Sequence, residues 1–258
     1  MTEVRSFIVS GAGSGIGAAI ASSIANASEA NRLILVGRNL GNLERVRGSL
    51  PRADAHLIVT ADLQKPAALI EALAKIKLET LNLSAIIANA GVGGENEYGS
   101  ADRWDEIIAT NLTGTYHFVQ ACLPALRAGK TSYRNIVVVS SILARLGVPK
   151  YSAYCASKAG LLGLMRSWAA EYAREKILVN AICPGWVNTE MSTAGLKDMA
   201  QASGASMEAI TAAVMEHVPL RKMSDPAEVA ALVSFLTSGQ QTSITGQTLD
   251  LNNGALMP

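Results

Sequence analysis

Short apolar runs alternate along this chain with longer stretches whose apolar residues recur every three or four positions. Runs of the first kind suit strands buried on both faces, and the second kind suits helices packed over them. The runs predict strands at Ser6–Val9, Leu33–Val36, His56–Val59, Ala85–Ala88, Asn135–Ser140, Leu178–Ile182 and Gln247–Leu251. Helices are expected near 15–27, 40–49, 66–78, 102–128, 153–175 and 226–238. Two of them carry a clear stripe at i, i+3, i+4, i+7: Leu161, Leu164, Met165 and Trp168, then Val229, Leu232, Val233 and Leu236. Asp225-Pro226-Ala227-Glu228 gives the last helix an N-cap, a first-turn proline and a capping-box glutamate. This alternation predicts an α/β fold, a parallel sheet with helices on both faces. Positions 191–218 are rich in Ala, Ser, Gly and Met and weakly amphipathic. Their place before the capped helix suggests a lid over a site, with an ordinary helical hairpin as the alternative. No linker or low-complexity tract divides the chain, so one domain over 1–258 is expected.

Composition narrows the function. Apolar residues make up 49% of the 258 and charged ones only 17%, as a large core requires. The formal net charge is +1 and the basic residues are scattered, which argues against nucleic acid as a partner. Cys122, Cys155 and Cys183 form no C-x-x-C pair, and their odd number speaks against a disulfide framework. His56, His117 and His217 have no ligand-like spacing, so no metal site is expected. No apolar run approaches the ~20 residues of a membrane span, and no signal-peptide pattern precedes Phe7. These features read as a cytoplasmic protein with no membrane partner.

The candidate chemistry begins where the first strand ends. Phe7–Val9 run into Ser10-Gly11-Ala12-Gly13-Ser14-Gly15-Ile16-Gly17 and then a helix rich in Ala and Ile. Strand, glycine turn and helix form the setting in which backbone N–H groups and a helix N-terminus bind a pyrophosphate. The spacing is neither G-x-G-x-x-G nor a Walker loop. Dinucleotide folds for NAD place an acidic residue at the end of the second strand, roughly twenty positions on. Here Gly37-Arg38 stands there. An arginine pairs with a 2′-phosphate where a carboxylate would repel it, so NADP(H) is expected over NAD(H). Ser14 offers no second positive charge. Asp62, with Leu63 at the end of the third strand, could reach an adenine amine. Asn89-Ala90-Gly91 end the fourth, where the backbone would pass an adenosine ribose. Both places could instead be simple turns.

Tyr154 and Lys158 stand four residues apart, and on a helix they share a face. A cation beside a phenol favours the phenolate and would lower the tyrosine pKa from near ~10. Ser141 precedes Tyr154 by thirteen residues. An acyl-transfer role for Ser141 is unsupported, since no Gly-x-Ser-x-Gly elbow surrounds it.

Together these residues resemble the short-chain dehydrogenase/reductase family over essentially the whole chain. The resemblance rests on Ser10-Gly11-x-x-x-Gly15-x-Gly17, Asp62, Asn89-Ala90-Gly91, Asn111, Ser141, Tyr154-x-x-x-Lys158, Pro184-Gly185, Gly246 to Asp250, and Gly254. Ser10 departs from the usual threonine, and Ala88 from a common asparagine. The resemblance implies a single Rossmann-type domain with a seven-stranded parallel sheet, assembled as a homotetramer or homodimer. It implies Tyr154 as acid/base, Ser141 holding the substrate oxygen, Lys158 on the nicotinamide ribose, and Asn111 ordering a relay water. It implies that Val187 and Thr189, after Pro184-Gly185, fix the nicotinamide carboxamide. The pocket walls expected are Leu143, Val148, Tyr151, Trp186 and Met191, mostly apolar. The reading is an NADPH-dependent reductase of a small carbonyl compound, near the 3-oxoacyl-thioester reductases. The alternatives are an NAD-dependent alcohol dehydrogenase and a non-catalytic dinucleotide-binding protein.

Overall fold

The computed structural model describes residues 4–257. Seven strands among them form one wholly parallel sheet in the order β3-β2-β1-β4-β5-β6-β7. They are β1 (Arg5–Ser10), β2 (Asn31–Gly37), β3 (Leu57–Thr60), β4 (Leu83–Ala88), β5 (Arg134–Val139), β6 (Ile177–Pro184) and β7 (Thr248–Leu251). Every strand expected from the apolar runs is present, with ends shifted by a few residues. His56 falls outside β3 because its ring nitrogen accepts the Leu33 N–H at 3.1 Å, which holds its backbone out of the ladder. Ser140 lies just past the end of β5, and its hydroxyl donates to the backbone at Lys158 O.

Alternate strand residues feed two cores. Ile8, Ile86 and Val138 pack with Leu69, Phe118 and Leu161 on one face. Phe7, Val9 and Ile87 pack with Ile20, Leu43 and Val229 on the other. The first face is covered by α3 (Pro66–Lys75), α5 (Gly114–Ala128) and α6 (Ser152–Tyr172). The second is covered by α1 (Gly15–Ala27), α2 (Leu40–Ser49) and α9 (Pro226–Thr237). The capping box at Asp225 and Glu228 forms as the sequence predicts.

Two regions differ from the simple pattern. The helix expected over 102–128 begins at α4 (Trp104–Ile108), widens into a π-turn at Ala109–Thr113, and resumes as α5. Positions 191–218 fold as two helices, α7 (Glu190–Ser203) and α8 (Met207–Glu216), separated by Gly204 at φ +68°. The first turn of α7 overhangs the cleft described next. Strand order reverses at β1 and β4, where the βα connections leave in opposite directions and a crevice opens at their carboxyl ends.

Candidate active site

Gly11 and Gly15 take left-handed backbone angles, φ +66° and +51°, to turn the chain from β1 into α1. A side chain on Gly11 would meet Ala90 Cα at 2.8 Å, so β4 and the turn are in backbone contact. Ser10 secures that approach, its Oγ accepting the N–H groups of Asn89 and Ala90 at 3.0 and 3.1 Å. Gly17 packs tightly against the turn, where a Cβ would collide with Gly11 O. The result is a cleft of ≈ 410 Å³ lined by Gly11, Ser14, Gly15, Ile16, Arg38, Asp62, Leu63 and Asn89 to Gly91 on its outer half. Tyr154, Lys158, Thr189 and Met191 line the inner half.

The cleft fits a nicotinamide dinucleotide. The helix opens on Ser14, whose side chain makes no cap hydrogen bond, so the first-turn N–H groups of α1 face the cleft for a pyrophosphate. Arg38 is exposed where it lines the cleft; the end of β2 carries no carboxylate of its own, and Glu106 lies within electrostatic reach of the guanidinium. Asn39 and Asn42 join that corner, Asn39 Oδ1 accepting the Asn42 N–H at 3.0 Å as the cap of α2. Asp62 Oδ1 accepts the Gln64 N–H at 3.1 Å, so the turn role and the cleft position coexist.

The inner half holds the candidate catalytic set. Lys158 is 4% exposed and donates to Val139 O at 3.1 Å. Its Nζ lies 5.6 Å from the centroid of the Tyr154 ring, as one face of α6 dictates. Burial pulls the Lys158 pKa down to about 8, opposed only weakly by Cys183. Burial also pushes the Tyr154 phenol up to about 12, against a hydrogen bond from Ser141. This reverses the sequence expectation that Lys158 lowers the tyrosine pKa. Loss of water around the phenol outweighs the Ser141 hydrogen bond. Ser141 Oγ accepts the Leu143 N–H at 3.1 Å and stays beside Tyr154. Ser140 is committed elsewhere, donating to Lys158 O at 2.9 Å.

Asn111 is fully buried in the π-turn. Its Oδ1 accepts the Val92 N–H at 2.8 Å, and its Nδ2 donates to Val92 O and Ser157 Oγ at 2.9 and 3.2 Å. It therefore pins the segment after β4. A Cβ on Gly91 would lie 3.2 Å from Asn111 Oδ1 and 3.4 Å from Lys158 Nζ, so the three positions converge.

Several expected site residues lie behind the cleft wall. Pro184 and Val187 are buried, Val187 bridging to Ser224, and Gly185 abuts Asn252. Thr189 does reach the cleft, its methyl 3.3 Å from where a Gly15 Cβ would be. Among the five pocket residues, Met191 lines the cleft, its sulfur 3.1 Å from a Cβ placed on Gly93. Tyr151 meets Tyr154 edge to face at 6.5 Å, while Leu143, Val148 and Trp186 lie outside the cleft lining. Asn42, Thr110, Val139 and Glu190 line it without having been expected. Asn39, an N-cap residue directly after Arg38, was the available signal for that corner. Among the described residues no group of three His, Cys, Asp or Glu side chains could hold a metal ion. No helix among them is long and apolar enough to cross a membrane.

Residues 11–255 match a family model described as enoyl-(acyl carrier protein) reductase. The chain is 31% identical to the oxidoreductase UcpA of Escherichia coli K12, over 98% of this chain and 95% of that one. A variant of actinorhodin polyketide ketoreductase, solved with NADPH, superposes with a TM-score of 0.89 at 27% identity, covering 98% and 97% of the two chains. A 3-oxoacyl-[acyl-carrier protein] reductase from Brucella melitensis, solved with bound NAD, gives 0.80 at 26%, covering 100% and 93%.

Proposed function

The chain belongs to the short-chain dehydrogenase/reductase family of oxidoreductases, and from that premise we propose that it reduces a ketone to a secondary alcohol with NADPH. The observation that carries this reading is that one cleft has Arg38 at one end and Tyr154 and Lys158 at the other, with Ser141 beside the phenol. Bound in that cleft, the nicotinamide dinucleotide supplies the hydride. Tyr154 Oη gives its proton to the carbonyl oxygen, and Ser141 Oγ hydrogen-bonds that oxygen as negative charge develops. Lys158 then offers a proton path back to the phenol and a positive charge near the reacting centre. Arg38 pairs with the 2′-phosphate. The substrate class proposed is a 3-oxoacyl thioester or a related carbonyl compound.

The test is a paired titration with NADPH and NADH of the wild-type protein and of Arg38→Asp. The wild type is expected to bind NADPH more tightly by about tenfold or more, as a charge-assisted phosphate pair implies. Arg38→Asp should reverse that order. Equal affinities in the wild type would move the reading to NAD-dependent alcohol oxidation.

A further inference from the structure

The cations on the two segments that lead to Tyr154 are each held by a carboxylate of this chain. Lys150 pairs with Glu97, and Glu95 Oε2 lies 4.0 Å from the same ammonium. Arg103 Nε meets Glu106 Oε2 at 2.8 Å, and its Nη1 donates to Gly93 O at 3.0 Å. Arg145 Nη2 meets Asp250 Oδ2 at 3.2 Å, with both side chains largely covered. Asn96 ties the two segments together: its N–H donates to Lys150 O at 2.7 Å and its Oδ1 accepts the Ala153 N–H at 2.9 Å. The three cations of these two segments are therefore already matched. Positions 92–106, 142–154 and 190–203 carry seven carboxylates and four cations, the fourth being Lys197 beside Asp198. This field reaches the inner wall. Tyr151 has its phenol pushed up first by burial and then by Glu95 and Asp198.

We infer that the site takes a free, uncharged carbonyl compound and disfavours 3-oxoacyl thioesters carried on a phosphopantetheine arm. The phosphodiester of such an arm would have to pass Glu95 and Glu97 with no uncommitted cation on either segment to receive it. A neutral ketone meets no such barrier, and Met191 offers it an apolar contact beside Tyr154. Like-charge juxtaposition of this kind acts mainly on encounter and discrimination, and salt screens it. The inference rests on the ketone-reductase reading and narrows it.

The experiment compares two thioesters with the same reacting ketone, 3-oxobutanoyl-N-acetylcysteamine and 3-oxobutanoyl-coenzyme A, with NADPH at low and high salt. At low salt kcat/KM should favour the neutral thioester by about fivefold or more, and salt should narrow the gap, as screening demands. Glu95→Gln with Glu97→Gln should raise kcat/KM for the coenzyme A thioester severalfold and leave the neutral one within about twofold. Both glutamates are exposed, so the fold should tolerate the change, and the salt series on the wild type tests the idea without it. A wild-type preference for the coenzyme A thioester overturns the inference while leaving the reductase reading intact. So does a double variant that moves both thioesters together. If neither thioester nor any neutral ketone is turned over with NADPH or NADH, the reductase reading falls and the inference with it.

Discussion

An ammonium that is 4% exposed, with a single backbone carbonyl at 3.1 Å, holds its proton less readily than a solvated lysine. Lys158 has its pKa lowered from 10.5 to about 8 on that account. Between those values the unfolded chain carries a proton that the folded chain has released. Stability therefore rises with pH through this window, and the cost of the buried charge is fully present below about 8. Lys158→Met should raise Tm by several degrees near neutral pH, at ~2–4 °C per kcal/mol for a domain of this size. The gain should vanish in melts above pH ~10, where the wild-type lysine is neutral in both states. The same substitution should cost most of the turnover and remove the fall in kcat expected of the wild type as Lys158 loses its charge near pH 8. A Tm gain that persists unchanged in alkaline melts would contradict the assignment. Tyr154→Phe removes the proton and leaves the ring in place. Turnover should drop by ~10²–10⁴-fold, the usual worth of a positioned acid, while NADPH affinity stays put. Wild-type turnover in that variant would exclude Tyr154 as the donor.

At the scale of elements, the glycine turn shows why spacing alone says little about what each glycine does. Gly11 is there for its backbone angle and Gly17 for the missing Cβ. Gly17→Ala would push a methyl group into Gly11 O, and overpacking of this sort costs ~1–3 kcal/mol. A lower Tm together with weaker cofactor binding is expected, since the turn must open to relieve the clash. Gly48→Ala in α2 has nothing within 4 Å and is the control. It should leave binding unchanged and stabilise by up to ~0.5–1 kcal/mol. The strands were legible because each is a buried apolar run with no competing period. The break at 109–113 was not, because Ile107, Phe118 and Val119 keep helical spacing on either side of it. The hairpin at α7 and α8 was ambiguous for another reason: each helix buries only one or two side chains, so its stripe is faint.

Across the whole molecule, one crevice at the carboxyl ends of the central strands gathers residues from positions 11 to 191. The convergence of Tyr154, Lys158 and Ser141 was readable because it depends on one helix face and one strand end. The pocket-wall positions have no such frame, since Leu143 sits in one 3-10 turn and Val148 and Trp186 in irregular segments whose direction no local pattern fixes. A ligand that bridges so many elements should protect all of them together. NADPH at 100 times its Kd should stabilise by ~2.7 kcal/mol and raise Tm by several degrees in one cooperative transition. NADH at the same concentration should shift it less, and a larger NADH shift would count against the 2′-phosphate site. One last consequence comes from the π-turn that seats Asn111. Such a turn is a helix carrying one residue too many, and a single-residue deletion there would heal it into regular α-helix. Healing would swing Asn111 off its seat against Val92 while improving the hydrogen-bond ladder from α4 to α5. A screen that rewarded heat resistance alone could thus drift toward a sturdier, inert protein, with the flaw in this helix as the first thing repaired.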